Sequence, residues 1–174
     1  MKKIAVVFAN GTEEIEALAP VDVLRRSGAE CDIVSINGQF PIGSHNITVK
    51  ADKVVEEVDF DLYDGIVIPG GMPGATNIAG CEKVVQALKK AYGEGKIVAS
   101  ICASPAVVLA NTGIVDGKKI TCFPAQVFVD MLCNCTYTAQ SVTVDGNLIT
   151  ANGPKSAFDF SFAICESLGL EPKI

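Results

Sequence analysis

Three apolar runs, "KIAVVF" at residues 3–8, "GIVIP" at 65–69 and "KIVASI" at 96–101, constrain this chain more than any other feature. Each is too short for a buried helix and too continuous for a strand with one solvated face. Strands of this kind need cover on both sides, and segments with helical spacing lie between them. "TEEIEALAPVDVLRRSG" follows the first run and is closed by Gly28, "ECDIVSI" adds a strand behind it, and "CEKVVQALKKAYGEG" is apolar at 84, 85, 88 and 91 before its glycine stop. Strands alternating with helices in this way predict an α/β layer sandwich with a parallel sheet and a site at the carboxyl ends of its strands.

The other segments fit around that frame. "GQFPIGSHNITVKADKVVEEV" has short alternating runs split by Gly and Pro, which predicts a hairpin-like excursion at a sheet edge. A helix is expected from Cys102 to about Asn111, a strand at Ile120, a short helix near "PAQVFVDML", and a hairpin turning at Asp145-Gly146 between "SVTV" and "NLIT". "GPKSAFDFSFAICESLG" reads as a further helix, with Ser156 and Asp159 spaced as a capping box. No repeat, linker or low-complexity stretch interrupts the pattern, so residues 1–174 read as a single domain.

Charge and composition exclude several functions. A net charge of -6 argues against nucleic acid, which is held by clustered Lys and Arg. No run approaches the roughly 18 apolar residues of a membrane span, and "MKKIAVVFANGTEEIE" turns acidic too soon for a signal peptide. Seven cysteines, an odd number, suit a reducing and therefore cytoplasmic setting. Cys122, Cys133 and Cys135 lack C-x-x-C spacing and a nearby histidine, so no metal is expected there and packed thiols are the default. "FANGTEE" places acids where a phosphate would sit, and neither G-x-G-x-x-G nor G-K-[ST] occurs, so no flavin or nucleotide cofactor is expected.

Chemistry concentrates at "VASICASPAVVLA". Cys102 stands where a strand turns into a helix, with Ser100 and Ser104 two places to either side, as a nucleophile elbow requires. Pro105 suits a first helical turn, and a helix start can lower a thiol's pKa. Gly70-Gly71 ends the neighbouring strand, where the N–H of Gly71 and that of Ala103 could form an oxyanion hole beside the sulfur. Glu13 and Glu14 read as solvated acids of a helix's first turn. Glu16 shares a face with Ala19, Pro20 and Val23, and a carboxyl on an apolar face is a candidate proton carrier with a raised pKa. Each feature alone has a plainer alternative: a core cysteine, an ordinary glycine turn, a surface acid.

Together, "EEIEALAPVDVLRRSG", "YDGIVIPGGMPGA", "VASICASPAVVLA", "KITCFP" and "ANGPKSAFDFSFAI" resemble the ThiJ/PfpI superfamily, and within it the DJ-one-like subfamily. The resemblance spans nearly the whole chain. It implies a flavodoxin-like three-layer sandwich, a homodimer, Cys102 as a reactive thiol partnered by Glu16, and a pocket lined by Gly70, Gly71 and Ala103 with Gly153 and Pro154 at its rim. Two departures bear on activity. The peptidase-like branch has a histidine directly after the cysteine, where this chain has Ala103, and many DJ-one-like members have one where this chain has Phe123.

The sole histidine, His45, falls in "SHNITV", at a place where the family often has an arginine that reaches the partner's pocket near the position of Arg26. Arg26 and His45 are therefore expected to form an anion site across a dimer, against the alternative of an exposed hairpin histidine. The resemblance implies cofactor-free glyoxalase or deglycase chemistry on small reactive carbonyls through Cys102 and Glu16. The alternative is a redox sensor in which an oxidant converts Cys102 to a sulfinate, and a peptidase or amidase ranks last.

Overall fold

The computed structural model describes residues 1–174. Strands β1 (Lys3–Phe8), β2 (Glu30–Ser35), β3 (Lys53–Val54), β4 (Gly65–Ile68), β5 (Ile97–Ile101), β8 (Val142–Asp145) and β9 (Leu148–Ala151) form one sheet in the order β3-β2-β1-β4-β5-β9-β8. All neighbours are parallel except β8, which pairs antiparallel with β9 across the Asp145-Gly146 turn. A small separate pair joins β6 (Lys119–Ile120) to β7 (Thr136–Tyr137). Helices α1 (Glu14–Arg26), α2 (Gly74–Ala79), α3 (Glu82–Gly93), α4 (Gln126–Met131) and α5 (Ala157–Ser167) complete the chain.

The continuous apolar runs explain the layering. Along β1, Ala5 and Val7 join a core that includes Ile78, Val84 and Leu88 of α2 and α3, while Ile4, Val6 and Phe8 join a second core with Leu24 of α1 and Phe160 and Ile164 of α5. Successive side chains point to opposite faces, so a strand buried throughout feeds two cores at once. The result is the expected three-layer, flavodoxin-like α/β sandwich.

Residues 39–51 form the expected hairpin-like excursion: the N–H groups of Ala51, Val49 and Gly43 donate to the carbonyls of Gln39, Pro41 and Ile47, and the Glu14 carboxylate accepts from the N–H groups of His45 and Ile47 near its tip. Two local expectations are corrected. Ser156 does begin α5, but its hydroxyl donates to Asn152 Oδ1 at 2.7 Å and leaves the capping box unmade. The helix expected after Cys102 is a π-helical turn over Pro105–Leu109. α2 has no strong spacing in the sequence; its Ala75 and Ile78 are buried beneath the β4 turn.

Candidate functional site

Four parallel strands, β1, β4, β5 and β9, end side by side, and their carboxyl ends carry the expected residues. β5 ends at Ile101, and the next residue, Cys102, has φ 65°. A left-handed conformation costs a residue with a Cβ roughly 1–2 kcal/mol, and such strain is retained where the surroundings over-determine it. Here they do. Cys102 N–H donates to Ala151 O at 2.9 Å, Cys102 O accepts from Phe123 N–H at 2.8 Å, and Ser104 Oγ donates to Pro69 O at 2.5 Å. The small residues flanking the thiol permit the bend, and the hydroxyl of Ser104 ties the turn to the end of β4.

Glu16 reaches the same point from α1 and is fully buried. Its Oε2 accepts from Gly70 N–H at 2.8 Å, while Gly70 O accepts from Glu13 N–H at 2.9 Å, so two hydrogen bonds clasp the first turn of α1 to the end of β4. Glu16 Oε1 is buried without a hydrogen-bond partner. A Cβ on Gly70 would lie 2.6 Å from both Cys102 Cβ and Glu16 Oε2, so glycine at 70 is what lets thiol and carboxyl approach each other.

Electrostatics follow from this packing. Burial pushes the Glu16 carboxyl up to about 7, helped by the Glu13 charge and opposed by the Cys102 thiol and the Gly70 N–H. Burial also pushes the Cys102 thiol up, and the Glu16 charge adds to it, against the backbone N–H groups of Ala103 and Gly71, which favour the thiolate. Where a helix start alone would lower the thiol, here burial and the neighbouring Glu16 carboxyl act against the two N–H dipoles, and the elbow leads into a short π turn. At neutral pH the thiol keeps its proton and the Glu16 carboxyl is near its midpoint, and the two titrate as a coupled pair.

Glu13 and Glu14, expected to be solvated, are 8% and 4% exposed. Glu13 caps α1 by accepting from Glu16 N–H at 2.8 Å. Glu14 accepts from His45 N–H at 2.8 Å and lies 2.8 Å from His45 Nδ1. The hydrogen bond and charge of Glu14 raise the His45 pKa, and despite burial the Glu14 pKa is lowered by the same partner. Ligand atoms of Glu13, Glu14 and His45 lie within 4.8 Å of one another, a possible cation-binding group, yet Glu14 already serves to pin the 43–47 segment. Nothing in the spacing of the three residues foretold this role.

Arg26 pairs with Asp22 at 2.9 Å at the far end of α1, about 18 Å of helix from Glu14. A single chain therefore does not bring Arg26 and His45 together. Gly153 and Pro154 line a cleft of about 490 Å³ whose walls are residues 123–124 and 152–156. Both walls are tied to Cys102, one through Phe123 N–H and the other through Ala151 O. The Phe123 ring stands 40% exposed and packs edge-on against Phe128 at 6.4 Å, so an aromatic side chain forms one wall of the cleft.

A cysteine on a strained strand-to-helix turn, at the carboxyl edge of a parallel sheet and against a buried carboxyl from the first helix, defines a nucleophile-elbow protein of the flavodoxin-like α/β class. The chain belongs to the DJ-1/PfpI family, which it matches over residues 2–167. It is 35% identical to Protein DJ-1 homolog B of Arabidopsis thaliana over 96% of its length but spans only 38% of that relative. A Pyrococcus abyssi protein named a deglycase is 31% identical, with 87% of this chain and 90% of that one aligned. The solved structure described as Toxoplasma gondii DJ-1, oxidized, superposes with a TM-score of 0.92 at 38% identity, covering 97% of this chain and 91% of the other.

Proposed function

We propose that the protein converts small 2-oxoaldehydes to 2-hydroxy acids without a cofactor, and acts on their adducts with amines or thiols. The observation that carries this reading is the buried Glu16 carboxyl set against Cys102 beneath the Gly71 and Ala103 N–H groups. As sulfur bonds to the aldehyde carbon, the thiol proton passes to Glu16 and the two N–H groups receive the oxyanion. Glu16 passes that proton on to the oxyanion, which completes the hemithioacetal and frees the carboxylate; it then takes the proton from the former aldehyde carbon and returns it to the neighbouring carbon while the hydroxyl proton moves to the neighbouring oxygen, which turns the hemithioacetal into a thioester. Water hydrolyses the thioester, releasing the hydroxy acid and the thiol, so one water is consumed per carbonyl and no oxidant is needed. A carboxyl held near 7 suits a group that must both accept and donate at neutral pH. The deglycase name of the Pyrococcus relative supports the same chemistry.

The test is lactate formation from methylglyoxal. Cys102→Ala is expected to fall to the uncatalysed rate and Glu16→Gln to lose roughly 10²–10⁴-fold; unchanged rates in Cys102→Ala overturn the reading.

A second reading, a redox sensor with Cys102 held as sulfinate, is supported by the Toxoplasma structure described as oxidized. Graded peroxide followed by intact mass should then add two oxygens at Cys102 before the other six thiols react. Homodimerisation belongs to the proposal as well, since Ile15 and Ile47 stand about half exposed around His45 and offer an apolar face to a second copy. Seven free thiols suit a cytoplasmic location. No helix is long and apolar enough to cross a membrane.

A further inference from the structure

The cleft between residues 123–124 and 152–156, whose two walls are bonded through Phe123 N–H and Ala151 O to the Cys102 backbone, carries a charge that the proposed chemistry does not use. In a chain with a net charge of -6, its lining holds no carboxylate and a single ionic group, Lys155. Lys155 is exposed and takes part in none of the ion pairs that engage other lysines. Asn152 adds a second donor on the same wall. Its Oδ1 accepts from Ser156 Oγ at 2.7 Å, and this bond turns the Nδ2 amide away from Ser156, where it has no protein acceptor. The Phe123 ring lines the same cleft, and its edge would lie 3.5 Å from a Cβ on Gly153. A planar apolar wall in one cleft with an ammonium and an amide is a complementary surface for a flat or short-chained molecule ending in an anion.

Resting on the carbonyl chemistry proposed above, we infer that this cleft selects 2-oxoaldehydes that bear a carboxylate or phosphate a few atoms from the reacting carbonyl, with Lys155 and Asn152 holding the anion and Phe123 the intervening group. The arrangement follows the chain path. Phe123 N–H and Ala151 O both bond the Cys102 backbone, so the two walls leave the elbow together and the cleft is where a substituent on the bound carbonyl extends. Lys155 acts at the remote end and takes no part in the proton transfers, so its contribution falls on KM and leaves kcat unchanged.

Two measurements test this. In turnover, phenylglyoxal and 4-carboxyphenylglyoxal differ only in a terminal carboxylate. The carboxylate form is expected to have kcat/KM about fivefold higher, the gain of one exposed ion pair reinforced by a hydrogen bond. Lys155→Gln should bring that ratio to one or below through KM alone, and 0.5 M salt should shrink it in wild type. In binding, the unreactive pair 4-(hydroxymethyl)benzoate and 1,4-benzenedimethanol is titrated against the nitrogen-15-labelled protein. The benzoate should bind more tightly, shift the amides of residues 152–156, and lose its advantage in Lys155→Gln. Equal binding of the two compounds, or an advantage that survives Lys155→Gln, overturns the inference. Turnover by Cys102→Ala would instead overturn the catalytic reading, and the binding result stands apart from it.

Discussion

Glu16 makes the protein's stability depend on pH in a direction opposite to that of most carboxylates. In the unfolded chain this carboxyl ionises near its ordinary value of 4.5, whereas in the folded protein it holds its proton to about 7. Between those values the folded state binds more protons than the unfolded one, so stability falls as pH rises. The full loss, complete above pH 7, is of order 3 kcal/mol. Glu16→Gln should flatten this decline, measured as denaturant midpoints at pH 5 and pH 8. The same substitution separates proton transfer from packing, because glutamine can still accept from Gly70 N–H. At the loop, His45 should titrate above its ordinary 6.5 in an NMR experiment, and Glu14→Gln should return it towards that value, since the Glu14 hydrogen bond and charge are the main causes of the shift. Gly70→Ala should cost about 1–3 kcal/mol by overpacking and abolish turnover, because the new methyl would occupy the space between thiol and carboxyl.

The elements show why some of this was legible in the sequence and some was not. β4 and β5 are buried throughout and β1 from Ile4 onward, and these nearly continuous apolar runs identify them without tertiary information. Cys102 was legible because an elbow demands small neighbours at fixed positions, and Glu16 because its helix face is otherwise apolar. Glu13 and Glu14 were misplaced because a first-turn acid has the same sequence signature whether it faces water or caps a buried turn. What decides is the loop at 43–47, which brings backbone N–H groups to Glu14 from about thirty residues away. The Ser156 box failed for a local reason: Asn152, four residues before it and outside the capping pattern, takes the hydroxyl. The thiol's raised pKa was hidden because a helix start is local and visible in sequence, whereas the opposing carboxylate arrives from another element.

At the scale of the molecule, one sheet separates two cores, with Leu88 buried in one and Leu24 in the other. Leu88→Ala and Leu24→Ala should each cost about 2–5 kcal/mol, and the double variant should equal their sum within about 0.5 kcal/mol, because the residues share no partners. A single cooperative transition with an unchanged denaturant slope is expected throughout, since every strand of β1, β4 and β5 contributes to both cores. The clasp between Glu13, Glu16 and Gly70 belongs to this cooperative unit and not to a mobile loop. A helix's first turn commonly frays, but here fraying would strip Glu16 from Gly70 and expose a buried carboxyl. The amide hydrogens of Glu13 and Gly70 should therefore exchange with solvent deuterium only as fast as the whole protein opens, which makes the site's persistence over time a property of the fold.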